Sequence, residues 1–284
     1  MPLNRTRAEI DADFTLDSVP DLDAVFARRA RASEEALARF DVRYDIPYGA
    51  GAEETLILFP AAAPDAPVQM FIHGGFWSTL AARDFAFVAE GFVPCGAAVA
   101  VIDYPLIPTV RMAAIVESCL RAVSYLYRHG SGHGIDPQRI FLSGNSAGAH
   151  LVTEAMDRER LRAAGLPADA VKGGTAISGL YDLTSIAGSF RNELLQFTDD
   201  EVAAFSPLLR PPNITQPIIV TVGENETWEF LDQSARLAAH GAEGGSPVEH
   251  MVVPDTNHIT VVLDSFAKRD EPLNRAVRTQ MGLG

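Results

Sequence analysis

The sequence predicts an α/β protein built on a mostly parallel central sheet with helices on both faces. Short apolar or β-branched runs alternate with segments of helical period along nearly the whole chain, the pattern of strands joined by crossover helices. Two of those runs, AAVAVID at 97–103 and PIIVTV at 217–222, are apolar almost throughout, as strands covered on both faces should be. No internal repeat, low-complexity tract or linker divides the 284 residues, so one domain over 1–284 is expected.

Residues 21–40 carry Leu22, Val25, Phe26, Ala30 and Ala36 among many charges and follow Pro20, which reads as an amphipathic packing helix near the N-terminus. TLILF at 55–59 and VQMFIH at 68–73 are separated by the Ala/Pro/Asp turn 60–67, and are expected to be paired strands. The strand at 97–103 leads to a helix over 113–128, a Gly/Asp/Pro loop over 130–137 and a short strand at 139–143. There follow a helix over 147–156, strands at 171–178 and 217–222, a helix over 229–240, a strand at 248–253 and mostly helix over 259–281. The loop after Gly179 and the stretch 185–211 are less regular, and the latter reads as a cap segment.

The net charge of −14 argues against nucleic acid or an anionic membrane as partner, because a surface that repels phosphate gains no counterion release. The N-terminal residues 1–13 are polar with no apolar signal region, and no run approaches ~20 apolar residues, so a cytoplasmic location is expected. Cys95 and Cys119 lie in apolar surroundings without metal-ligand spacing; both are expected to be buried thiols, with no disulfide, metal or cofactor implied. A homodimer is allowed, but nothing in the sequence selects that state.

The sharpest chemical signal is Gly144-Asn145-Ser146-Ala147-Gly148, a G-x-S-x-G pattern between an expected strand and an expected helix. Its chance occurrence in a chain of this length is about one in ten from average glycine and serine usage, so its setting carries the argument. A nucleophile elbow needs a tight, strained turn that lifts the serine hydroxyl above the sheet, and the glycines allow strand and helix to approach closely. Upstream, His73-Gly74-Gly75-Phe76-Trp77 closes the strand starting at Val68, where an α/β-hydrolase fold places its oxyanion loop. Residues lacking side-chain bulk let the main chain reach a developing oxyanion, which makes Gly74, Gly75 and Ala147 the donor candidates. His73 is expected to be a structural hydrogen-bonder.

His258 follows the last strand in a loop and precedes the last helix, the place of the general base in the chain order Ser, acid, His. His129, His133, His240 and His250 stand in loop, helix-end or strand contexts, and His150 lies one helical turn after Ser146 in a packing position. Four carboxylates compete for the acid: Glu226 and Glu224, directly after the strand 217–222, then Asp182, with Asp255 on the histidine's own loop. Phe76, Trp77 and Trp228 lie beside these loops and are candidates for an aromatic wall around a flat small-molecule substrate, with Tyr104 a weaker one.

HGGFW, GNSAGAH, GENETWEFLDQS at 223–234 and NHITVV at 257–262 together resemble the kynurenine formamidase (arylformamidase) branch of the α/β-hydrolase superfamily. The likeness runs from about Tyr44 to the last helix and takes in GLYDLTSIAGSFRNELLQF at 179–197, with Asn192 and Glu193 at familiar places. Matching Glu229-Phe230 and Gln233-Ser234 to the family's residue pairs implies Glu226 as the acid, where the family often has Asp; Asn145 replaces a common His. The resemblance implies hydrolysis of an N-formyl anilide or related aryl ester, and the residues themselves lead to the expectation of a metal-independent acyl transfer in which Ser146 attacks and His258 shuttles the proton. A general carboxylesterase using the same residues is the first alternative, and a non-catalytic ligand binder on this fold the second.

Overall fold

The structure, a computed structural model, describes residues 5–284. Among these residues eight strands form one sheet: β1 Arg43–Pro47, β2 Thr55–Phe59, β3 Ala66–Ile72, β4 Ala98–Ile102, β5 Ile135–Asn145, β6 Val171–Ile177, β7 Ile218–Gly223 and β8 Val248–Val253. Their order is β1-β2-β4-β3-β5-β6-β7-β8, antiparallel across β1/β2 and β2/β4 and parallel from β4 onward.

The runs at 55–59 and 68–73 do not pair with each other, contrary to expectation. β4 lies between them, setting Leu56 opposite Ile102 on one side and Val68 beside Ala98 on the other. β3 is buried along its whole length and takes an interior place between β4 and β5. β2 remains one strand from the edge. β1, which no sequence pattern announced, is that edge: it is mostly exposed and irregular between Arg43 and Ile46, so burial imposed no apolar alternation on it.

The helices are α1 Arg7–Asp13, α2 Leu22–Arg39, α3 Met112–His129, α4 Ala147–Ala155, α5 Arg158–Ala163, α6 Thr184–Ala187, α7 Asn192–Leu195, α8 Asp199–Ala204, α9 Trp228–Glu243 and α10 Pro272–Gln280. The stretch 185–211 thus consists largely of short helices and a Pro-containing loop. The region 259–281 is not one helix but a π-helical turn, Val261–Phe266, and α10, which starts at Pro272, where a missing N–H costs nothing.

Period-two alternation gives the sheet two covered faces. Val68, Met70, Ile72, Leu142 and Val220 pack on one side with Ile115, Val123 and Leu151. Phe71, Val99, Phe141 and Ile219 pack on the other with Phe266, Leu273 and Val277. Of the two free thiols, Cys119 is buried as expected and burial pushes its pKa up, whereas Cys95 is only half-buried. Among the described residues no helix is long and apolar enough to cross a membrane.

Candidate active site

Ser146 sits between β5 and α4 with φ 58° and ψ −120°, a strained backbone region for a residue with a side chain. The flanking glycines are required by space. A Cβ on Gly144 would stand 2.4 Å from the Gly148 carbonyl oxygen, and one on Gly148 only 1.9 Å from that of Ile72. Without side chains at these two positions, α4 can seat its first turn against the end of β3. The Ser146 N–H donates to Ile177 O at 2.8 Å, which ties the turn to β6.

The loop after β3 lies against this serine, since a Cβ on Gly74 would be 2.8 Å from Asn145 O and 3.2 Å from Ser146 Cβ. Two buried side chains hold its peptide planes. The Tyr104 hydroxyl donates to His73 O at 2.8 Å, and His73 Nδ1 donates to Gly74 O at 2.7 Å. In a trans peptide the N–H points opposite the C=O. Anchoring those two carbonyls therefore aims the N–H groups of Gly74 and Gly75 the other way. Ala147, the first residue of α4, carries an N–H without an intrahelical acceptor.

Burial pushes the His73 pKa down to about 4, so its imidazole is neutral near pH 7, with Nδ1 carrying the proton. Its ring stacks on Tyr104 with centroids 4.3 Å apart. His73 thus acts on the loop as a hydrogen-bonder, and Tyr104 lies beneath the loop rather than in a substrate wall.

Glu226 lies in the turn between β7 and α9 with its side chain fully buried. Its Oε2 is 2.6 Å from His258 Nδ1, and its Oε1 accepts from Ser178 Oγ at 2.5 Å and from the Gly223 N–H at 2.7 Å. Both carboxylate oxygens are satisfied, which is what a buried charge needs. With Nδ1 engaged by Glu226, Nε2 is the nitrogen left for a proton from a hydroxyl. The elbow reaches the same loop through Asn145, whose Nδ2 lies 3.4 Å from Ile177 O and 3.5 Å from His258 O.

The competing carboxylates go elsewhere. Glu224 accepts from the Asp255 N–H at 3.1 Å, Asp182 accepts from the Thr184 N–H and pairs with Arg236, and Asp255 is exposed. Of the four, only Glu226 meets His258. His150 is wholly buried and donates from Nε2 to Phe205 O at 2.7 Å, and burial pushes its pKa down to about 4.

The three aromatic candidates part company. Phe76 borders a narrow hollow of about 10 Å³, room for little more than one water molecule, together with Glu226, Phe230 and His258. Trp77 is wholly buried, edge-on to His150 and to Phe197 at 5.3 and 5.6 Å. Trp228 is 39% exposed under the Arg5 guanidinium and lines a different depression with Asp182 and Arg236. The structure therefore brings Phe76, but neither tryptophan, to His258. Sequence reasoning missed Phe230, whose ring is 4.3 Å from that of His258. The available signal was its place four residues after Glu226, in the first turn of α9.

Comparisons with known proteins agree with this architecture. A kynurenine formamidase of Danio rerio is 29% identical over 240 residues, 81% of this chain and 79% of that one. The esterase LipQ of Mycobacterium tuberculosis is 29% identical over 237 residues, 75% of this chain and 56% of that one. A solved structure from Silicibacter sp. tm1040 superposes with a TM-score of 0.83 at 26% identity, over 94% of this chain and 98% of that one. The profile of the family described as alpha/beta hydrolase fold matches residues 69–262, from β3 through the elbow to the turn after His258. That span is more than half of the chain, and the chain belongs to the alpha/beta hydrolase fold family.

Proposed function

We propose that this hydrolase removes a small acyl group from an aryl amide or ester, foremost an N-formyl anilide such as N-formylkynurenine, with Ser146, His258 and Glu226 as its triad. The observation that carries the reading is the buried Glu226–His258 pair beside a strained serine elbow faced by a glycine loop. The likeness to a kynurenine formamidase over four-fifths of both chains supports the formamide as substrate.

In this mechanism Ser146 Oγ attacks the acyl carbon while its proton passes to His258 Nε2, and Glu226 stabilises the imidazolium from the Nδ1 side. The carbonyl oxygen becomes an oxyanion facing the N–H groups of Gly74, Gly75 and Ala147, a donor of this kind contributing about 3 kcal/mol. His258 then protonates the leaving amine or phenol, and the C–N or C–O bond breaks. Water attacks the acyl-serine, gives a proton to His258, and releases the carboxylic acid as the serine recovers its own. The helices α6 to α8 serve as a cap in this reading, and the enzyme works in the cytoplasm as one domain.

A general carboxylesterase with the same residues is the second reading, supported by the likeness to LipQ. Hydrolysis of N-formylkynurenine beside p-nitrophenyl acetate, by wild type and Ser146→Ala, separates the two. Formamide turnover that disappears in Ser146→Ala is the expected result. Turnover of the ester alone would leave an esterase, and formamide turnover surviving in Ser146→Ala would remove the mechanism.

A further inference from the structure

The C-terminal end of β6 supplies no member of the triad, yet two consecutive residues there hold both the serine and the acid. The Ile177 carbonyl accepts from the Ser146 N–H at 2.8 Å and so ties down the nucleophile turn. The next residue, Ser178, donates from Oγ to Glu226 Oε1 at 2.5 Å, the oxygen that does not face His258. Its own N–H donates to Thr221 O at 2.7 Å, which secures it to β7. One peptide unit thus links the serine turn to the acid.

Ser178 occupies this place at a backbone cost. Its φ is 54°, in the left-handed region where glycine fits freely and a residue with a Cβ is disfavoured. It is wholly buried, so solvent does not reward its hydroxyl either. A glycine would suit the turn and keep the N–H bond to Thr221 O. What only the serine side chain adds is the bond to Glu226. That bond matters because the last side-chain torsion of a glutamate is broad, and a carboxylate held at one oxygen alone can turn away from its histidine. Ser178 Oγ and the Gly223 N–H, at 2.5 and 2.7 Å, pin Oε1 from two elements and leave Oε2 aimed at His258 Nδ1.

We propose that Ser178 is a positioning residue for the reaction: its hydroxyl fixes the Glu226 carboxylate so that the negative charge stands where the His258 imidazolium forms. The inference rests on the reading of Ser146, His258 and Glu226 as the triad. Ser178 acts through Glu226 and not on the acyl group. The imidazolium exists only once the serine has given up its proton, so a misaligned carboxylate is felt in the transition state and hardly in substrate binding. Hydrogen bonds to an ionised group are among the stronger ones in a protein, and without the Ser178 hydroxyl Oε1 keeps only the Gly223 N–H.

Ser178→Ala and Ser178→Gly test the proposal on p-nitrophenyl acetate. Both are expected to lower kcat about tenfold with KM held within about twofold. Glycine removes the hydroxyl and relieves the backbone, so Ser178→Gly carries the test if Ser178→Ala does not fold. The same substitution beside Glu226→Gln separates positioning from a structural role, read as the rate at which a fluorophosphonate modifies the protein. Ser178→Gly is expected to slow that rate about tenfold in the wild-type background and by no more than about twofold in Glu226→Gln, where the charge it places is gone. Undiminished kcat in Ser178→Gly, a rise in KM alone, or an equal slowing in both backgrounds would overturn the assignment. Failure of the triad reading shows separately: Glu226→Gln would keep wild-type rates, or ester turnover would survive in Ser146→Ala, and the role of Ser178 would fall with it.

Discussion

The orientation of the two glycine amides depends on groups that never touch a substrate. Tyr104 and His73 each hold one carbonyl of the oxyanion loop, and the amide on the far side of each peptide plane inherits its direction. Tyr104→Phe removes one anchor and keeps the stacked ring. We expect kcat to fall about tenfold with KM nearly constant, because a misaimed donor is missed in the transition state and not in the ground state. Steady-state kinetics on p-nitrophenyl acetate measures it; a rise in KM alone would contradict it. Glu226→Gln keeps the shape and removes the charge that stabilises the imidazolium, with an expected loss of about 10⁴ in kcat. At this scale much was legible: the pentapeptide marked Ser146, and the loop after the last strand marked His258. Between Glu224 and Glu226, residue types could not decide. The turn closed by the Glu226 N–H on Gly223 O directs one carboxylate inward and leaves the other on the surface.

At the level of elements, the close approach of β3, β5 and α4 is what two glycines make possible. Gly148→Ala would drive a methyl to within 1.9 Å of Ile72 O, a backbone atom with no freedom to yield. A loss of about 3 kcal/mol is expected from such overpacking, measured as a lower urea midpoint at unchanged m-value. An unchanged midpoint would mean that α4 can slide away from β3. Strands buried on both faces and amphipathic helices could be read from the sequence because burial writes a period into it. β1 and α1 could not, since β1 is an exposed edge and α1, RAEIDAD, is a charged segment held by a capping box and by contacts made far along the chain. The order of β2, β4 and β3 was misread for a related reason: neighbours in sequence look like a hairpin unless the full burial of one strand is recognised as an interior position.

Across the whole molecule, two wholly buried histidines couple folding to pH. Burial lowers His73 and His150 to about 4 from the ordinary imidazole value of 6.5. Between those values the unfolded chain binds protons that the folded one refuses, so stability falls as pH drops from about 6.5 toward 4. Each histidine contributes a slope of about 1.4 kcal/mol per pH unit in that window. His150→Gln is expected to flatten the slope in urea titrations between pH 6.5 and 4.5, and an unaltered slope would contradict it. The class of fold was legible because alternation runs through most of the chain. The surroundings of His258 were not, because they are assembled from Asp13, Thr15, Phe76, Glu226 and Phe230, which share no sequence period.

The central claim is that Ser146 is a nucleophile activated by the Glu226–His258 pair. Its most direct test is intact-protein mass spectrometry after brief exposure to a fluorophosphonate, with peptide mapping of the adduct. The account predicts one phosphonyl adduct on the peptide containing Ser146, none in Ser146→Ala and much slower formation in Glu226→Gln. Labelling that persists unchanged in Ser146→Ala would contradict it.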